Sequence, residues 1–480
     1  MAESAGGLQL ERIDALLASD PDQVEPRYLR AGLLAGLGRV EEAKQDYLAV
    51  IARAPAHFGA LNDLGTLLYN TDYRSAARLA YAEAVKHHPD NPVGRINLAN
   101  ALLADGQHDG AREHFEAALR LAPDHPDANQ GMANLLQDLG EADAAERLRQ
   151  RSYRSRTVTH LAYRGEGPPC RLLLLMSASG GNVPTRFLLD DTVFATSILA
   201  AEAHAPGAEL PPHDLVFNAI GDADLCAAAL DAAEAMLADA AAPVVNPPAR
   251  VRATGRVAIA RNLTDLPGVV APKVLAVPRE DLEQAALGFH YPLLLRSPGY
   301  HTGRNFLRVE APGSLAAAAA SLPGSELLLI EFLDARDVPR HEDGGHEDGG
   351  HAHKYRVMII GGRLYPLHLA VSSDWKVHYF TADMADRPDH RAREAAFLDD
   401  MPGVLGARAM AGLAAIGERL GLDYAGVDFA LGPAGEVLLF EANATMVVSP
   451  PDPDPRWDYR RAPVMRILTA VRDMLVARAG

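Results

Sequence analysis

The chain has 480 residues, 48% of them hydrophobic and 23% charged, with a formal net charge of −17. That composition describes roughly two to four globular domains. Its acidity excludes sequence-independent nucleic-acid binding, which relies on Lys and Arg neutralising phosphates, and docking on anionic membranes. The longest apolar runs, RLLLLMSASG and LAAAAASLPG, are too short to cross a bilayer. The opening MAESAGGLQLERIDALLASD has neither a basic start nor an apolar stretch, so no signal peptide is expected. Cys170 and Cys226 fit neither a disulfide framework nor a metal spacing and read as reduced core thiols. A cytoplasmic location is expected.

The first third repeats with a period of about 34 residues. Pro55, Pro89 and Pro123 mark the period; Ala43, Ala77 and Ala111 recur beside Tyr47, Tyr81 and Phe115. Leu34, Leu68, Leu102 and Leu136 keep the same spacing, and Leu64-Gly65 returns as Leu98-Ala99 and Met132-Ala133. Small residues allow two antiparallel helices to cross closely, an aromatic fills the gap, and a proline ends the unit. The pattern resembles the tetratricopeptide repeat, with units over 24–57, 58–91, 92–125 and 126 to about 157, within a helical domain 1–160. Arg149 stands at the aromatic position of the last unit, where AERLRQRSYRSR predicts a solvated capping helix. The resemblance implies an all-α solenoid whose concave groove takes a peptide or protein partner.

After RGEGPPC the pattern changes to alternating strands and helices. RLLLLMSASGGNVPTRF, HDLVFNAIGDADL and APVVNPPARVRATG predict buried strands ending in polar or Pro-rich turns, separated by helices near 187–204 and 223–240. This predicts a parallel α/β unit over 168–250. YPLLLRSPGYHTGRNFLRV, ELLLIEFLD, KYRVMIIGGRLYPLHLAVS and YAGVDFALGPAGEVLLFEANAT predict mostly antiparallel hairpins with packed helices over 251–480. No phosphate loop, dinucleotide fingerprint, H-E-x-x-H or nucleophile elbow is present.

In the last of these segments Asp428, Glu441 and Asn443 interrupt apolar strands. If GPAG is a tight turn and Leu431 pairs with Glu436, Asp428 lies opposite Leu439. Asp428, Glu441 and Asn443 then share one face, with diagonal neighbours about 7–8 Å apart. Two carboxylates and an amide suit Mg²⁺.

GVDFAL…GEVLLFEANAT resembles the end of the ATP-grasp domain, in which an Asp and a Glu-x-Asn hold magnesium on ATP. The resemblance extends over about 170–470 and implies an α/β pre-ATP-grasp unit followed by an α+β ATP-grasp domain, with an ATP subdomain at 256–332 and a Mg-binding part at 353–470. It places Arg256 and Arg296 on the phosphates, where lysines are commoner, under a loop containing His301, Thr302 and Gly303. Glu331, Phe332 and Leu333 would border adenine, Asp337 the ribose, and Arg356 would stabilise the transferred phosphate. Lys354 stands where many relatives carry an acid. The implied cofactors are ATP and Mg²⁺. The implied activity is ligation of a carboxylate to an amine through an acylphosphate, with the repeats recruiting a peptide, protein or partner. A phosphotransferase, or a non-catalytic interaction protein with a regulatory or degraded nucleotide site, is the alternative.

LHLAVSSDWKVHYFTADM offers His368, Trp375, Lys376 and His378 as an acceptor pocket, or simply a half-buried strand with one packed Trp. Asn182, in SGGNVPTR, lies either in a cradle for a carboxylate or phosphate or in a structural turn. The tandem HEDGG duplication in 340–353 reads as a mobile insertion that binds metals loosely at most.

Overall fold

The computed structural model describes residues 2–71, 73–155, 158–205, 207–299, 305–336, 350–377, 382–452 and 454–480. The chain divides into two compact units, residues 1–159 with 164–168, and residues 160–163 with 169–480.

The first unit is helical. A helix α1 (Ala2–Ser19), which the repeat pattern does not assign, precedes four helix pairs: α2 (Val24–Gly36) with α3 (Val40–Arg53), α4 (Phe58–Asn70) with α5 (Arg74–His87), α6 (Pro92–Ala104) with α7 (His108–Leu121), and α8 (Pro126–Asp138) with α9 (Ala142–Ser155). Each pair coincides with one predicted unit. The periodic small residues sit at the crossings: Ala31, Ala43, Ala77, Ala99, Ala111 and Ala133 are fully buried. Close approach is sharpest at Gly131, where an added Cβ would come within 2.3 Å of the Phe115 ring. Polar side chains join successive units, as in the Tyr28 hydroxyl donating to Asp63 (2.7 Å) and Asn97 Nδ2 to Asn62 Oδ1 (2.7 Å). Arg149 is not solvated as the capping reading expects. It is buried at the aromatic position, its guanidinium donating to Gln137 Oε1 at 3.3 Å.

The second unit is mixed α/β. Four parallel strands, β1 (Cys170–Met176), β2 (Phe194–Ala200), β3 (Leu215–Asn218) and β4 (Val244–Val245), run in the order β2-β1-β3-β4. The helix expected near 187–204 is instead a turn followed by β2, because β-branched and aromatic residues in FATSILA suit a strand beside β1. The expected second helix is shorter, Ala227–Met236. Two antiparallel sheets follow. One holds β6 (Val274–Pro278), β7 (Leu293–Arg296), β8 (Phe306–Val309) and β9 (Glu326–Glu331) in the order β6-β9-β7-β8. The other holds β5 (Val269–Val270), β10 (Ala352–Ile360), β11 (Arg363–Ser372), β12 (Tyr424–Leu431) and β13 (Val437–Asn443) in the order β11-β10-β12-β13-β5, with β5 parallel to β13.

One apolar core joins the parallel strands to the last sheet and the C-terminal helix Arg461–Ala479, through Leu174, Phe217, Tyr424, Met358, Ile467 and Val471. Asn246 stitches the same layers with polar contacts. Fully buried, with φ of 55°, it donates to the Tyr424 carbonyl (2.7 Å) and accepts from the backbone N–H groups of Asp423 (3.0 Å) and Tyr424 (2.9 Å). Cys226 is a buried free thiol that burial pushes up to about 12. Among the described residues, no helix is long and apolar enough to cross a membrane.

Candidate functional site

The predicted hairpin β12–β13 forms, but in a different register. Leu431 pairs with Val437 rather than with Glu436, and a bulge after Asp428 puts Asp428 opposite Glu441 and Phe429 opposite Leu439. A bulge inserts one residue that tight-turn counting cannot foresee. Its effect is to bring the two carboxylates face to face instead of diagonal. A second bulge follows Arg356 on the neighbouring strand β10, where Arg356 pairs with both Asp428 and His368. Two bulges at adjacent positions bend both strands at the place where the charged side chains converge. Lys354, two residues from Arg356, shares its face.

These side chains border a cavity of about 860 Å³. The cavity brings together Arg256, Arg296, Glu331, Phe332, Leu333 and Arg356 with His368, Trp375, Lys376, Asp428 and Glu441. Six of its charged lining residues are cationic and four anionic, a positive excess inside a chain of net charge −17. Asn443 is not among the lining residues. It borders a smaller adjoining pocket, with Glu441 and Asp224, and its Oδ1 accepts from the N–H (3.0 Å) and hydroxyl (2.9 Å) of Thr445. Asn182 lies away from the cavity in a structural turn, accepting from Ser177 N–H (2.7 Å) and donating to the Ser177 carbonyl (2.8 Å). His301, Thr302, Gly303, Asp337, His378 and residues 340–349 of the HEDGG duplication lie outside the described residues.

Asp428 is 2% exposed. Arg356 grips it through two parallel hydrogen bonds, Nε to Oδ1 at 2.5 Å and an η nitrogen to Oδ2 at 2.7 Å, and Lys354 Nζ stands 3.1 Å from Oδ2. Burial alone would push the Asp428 carboxyl up, but Arg356 and Lys354 outweigh it and hold the group below the carboxylate range. Burial likewise opposes the charge on Arg356, and Asp428 more than restores it, so its pKa is raised. Burial, seconded by Arg356, keeps His368 well below the usual histidine range, so it is neutral at pH 7. Burial and the neighbouring Arg256 bring Arg296 down to about 10.

Glu441, on the facing strand, is more open and pairs with Arg256 at 2.9 Å. Arg256 begins the helix Arg256–Asn262, its backbone N–H donating to Asp224 (3.0 Å). At another wall Trp375 packs against Phe306 and Phe332, with ring centroids 5.7 and 6.1 Å apart, and Arg308 lies 4.5 Å over the Phe332 ring. The site therefore offers an apolar aromatic wall beside concentrated cations, a combination suited to an anion with a flat apolar part.

Sequence reading passed over Trp457 and Arg460, which also border the cavity, and Glu394 behind them. One signal was present: the chain has only two tryptophans, and both border this cavity.

Oxygen donors of the kind magnesium prefers are present in Asp428, Glu441 and Asn443. Each has a protein partner, so a metal ion fits them in kind only by exchanging with Arg356, Lys354 and Arg256 at the carboxylates. Among the described residues no group of three His, Cys, Asp or Glu side chains is placed to hold a metal ion.

Comparison with known proteins bears on the first unit. Residues 62–126 and 102–151 each match a family described as tetratricopeptide repeat. The chain thus carries tetratricopeptide repeats over 62–151, within the helix pairs described above, and repeats of this kind build surfaces for protein or peptide partners. Similar solved structures include a crystal structure of MamA (19% identity, 31% of this chain and 90% of that chain, TM-score 0.29). MamA from Desulfovibrio magneticus RS-1 is similar at 21% identity, over 31% and 85% of the two chains, with TM-score 0.29. Pseudomonas aeruginosa pilF is similar at 22% identity, over 32% and 73%, with TM-score 0.28. No curated protein matches the chain.

Proposed function

We propose that the second unit is an ATP-grasp-like ligase that joins a carboxylate to an amine, and that the repeats recruit a peptide or protein that supplies or accompanies a substrate. The observation that carries this reading is the cationic cavity, with Arg256, Arg296, Lys354 and Arg356 around the facing carboxylates Asp428 and Glu441. Arginine binds phosphate bidentately, so Arg256 and Arg296 are assigned to the nucleotide phosphates. Glu331 to Leu333 and the aromatic wall are assigned to the base. Arg356 is assigned to the charge that develops on the transferred phosphoryl group. In the reaction the substrate carboxylate takes the γ-phosphoryl group and ADP leaves; the amine then displaces phosphate from the acylphosphate. Magnesium, when bound, neutralises phosphate charge; Glu441 and Asp428, with Asn443 beside them, are the residues that would hold it.

A second reading, an interaction protein with a regulatory nucleotide site, is favoured by one observation: Asp428 is already neutralised by two cations. Calorimetry of ATP with the full chain separates the two. Magnesium-dependent binding that Glu441→Ala weakens at least about tenfold, followed by ADP release with a carboxylate and an amine, supports the ligase. Absence of nucleotide binding by the folded chain refutes it, and binding without turnover favours the second reading.

A further inference from the structure

Among the cations around Asp428 and Glu441, Lys354 has no role in the assignments above. It stands on β10 two residues before Arg356, on the same face, and both side chains reach Asp428. They hold it differently. Arg356 lies directly across from Asp428 in the strand pair and binds both carboxylate oxygens in a planar fork, at 2.5 and 2.7 Å. Lys354 makes one ion-pair contact, 3.1 Å from Oδ2, through a compact ammonium on a flexible stem. On the facing strand Glu441 Oε1 is paired with Arg256 at 2.9 Å.

A divalent cation that prefers oxygen ligands competes with Lys354 for Asp428 and with Arg256 for Glu441. Arg256, Arg296, Lys354 and Arg356 outnumber the two carboxylates they surround. The excess positive charge repels a bare divalent cation, because the groups lie closer together than the screening length of about 8 Å at physiological salt. It attracts a metal–polyphosphate complex, whose net charge is negative. A phosphate also gives the Lys354 ammonium a second anion to turn to. The forked Arg356 stays, and the single contact of Lys354 is the one that exchanges.

We propose that Lys354 is an exchangeable counterion of Asp428: it closes the Asp428–Glu441 pair to free divalent cations and gives up Oδ2 only when the metal comes with a polyphosphate. That the polyphosphate is ATP rests on the ligase reading, but the closure itself is tested without nucleotide.

The test is binding of Mn²⁺, which shares the oxygen-ligand preference of Mg²⁺, to the full chain, read from the paramagnetic resonance of the free ion. The quantity compared is the part of the binding that Glu441→Ala removes, which sets aside any site elsewhere in the chain. With Mn²⁺ alone, Lys354→Met and Lys354→Gln should bind at least about tenfold more tightly than the natural chain. The natural chain should reach comparable binding only when ATP is added. Near-UV circular dichroism reports the packing of each variant, and should Lys354→Met fail to pack, Lys354→Gln decides. Lys376→Met removes the same charge from the aromatic wall of the cavity and should gain much less. Binding of Mn²⁺ alone by the natural chain as tightly as by the Lys354 variants overturns the proposal. So do equal gains in Lys354→Met and Lys376→Met, which would reflect net charge rather than the contact. A gain confined to the Lys354 variants in a chain that does not bind ATP leaves the closure standing and removes the nucleotide reading.

Discussion

The two units spend their polar contacts differently. In the repeat, side-chain hydrogen bonds join neighbours, as in Tyr28 to Asp63 and Asn97 to Asn62, each 35 residues apart. In the α/β unit, Asn246 bonds to Asp423 and Tyr424, 177 and 178 residues away, and Arg356 grips Asp428 at a separation of 72. A stack of units is stabilised by nearest-neighbour interfaces, so its pattern is written locally. A folded sheet closes distant strands, and its buried charges depend on partners that no local window contains.

The comparison is sharpest at Asn246. Asn246→Ala leaves the Tyr424 carbonyl and two backbone N–H groups without their buried partner, at about 1–3 kcal/mol for each such group. Asparagine also tolerates the left-handed backbone that alanine resists. Urea unfolding followed by far-UV circular dichroism should show a loss of about 3–6 kcal/mol. A loss under about 1 kcal/mol would mean that water replaces the amide and that the long-range stitch is dispensable.

In the repeat the matching test is Phe115→Ala. The ring is fully buried among Ala99, Ala111 and Ala133, against Gly131. Its removal should cost about 3–5 kcal/mol, and the damage should stay near α6 to α8. Hydrogen exchange along the chain checks this: protection lost evenly across α2 to α9 would contradict nearest-neighbour stabilisation.

The smallest effect is a pH dependence confined to the α/β unit. His368 has a folded pKa depressed by burial and by Arg356, against an unfolded value of about 6.5. The unfolded chain therefore binds the proton first as pH falls. Stability from this group is complete above about pH 6.5 and declines below it by about 1.4 kcal/mol per pH unit until the folded pKa is reached. Urea midpoints at successive pH values between neutrality and the carboxylate range should show His368→Gln flattening that slope by one proton. An unaltered slope would mean that His368 is charged in the fold.

The sequence by itself determined the repeat in detail, because Ala, Gly, Tyr and Phe positions at a fixed spacing encode contacts within one or two helices. It also determined the hairpin-rich character of the second unit and, through alternation along strands, the shared face of Asp428 and Glu441; Arg256, Arg296 and Arg356, which line the same cavity, were singled out by the family resemblance alone. Only the tertiary structure decided how those charges pair. The bulges after Arg356 and Asp428 shift the register by one residue, Lys354 arrives at Asp428 from a neighbouring strand, and β2 replaces an expected helix because β1 offers it a partner. The Glu394–Arg460 pair and the Asn246 stitch were invisible for the same reason. Each is a contact between segments far apart in the chain, stable only where the fold removes both partners from water together.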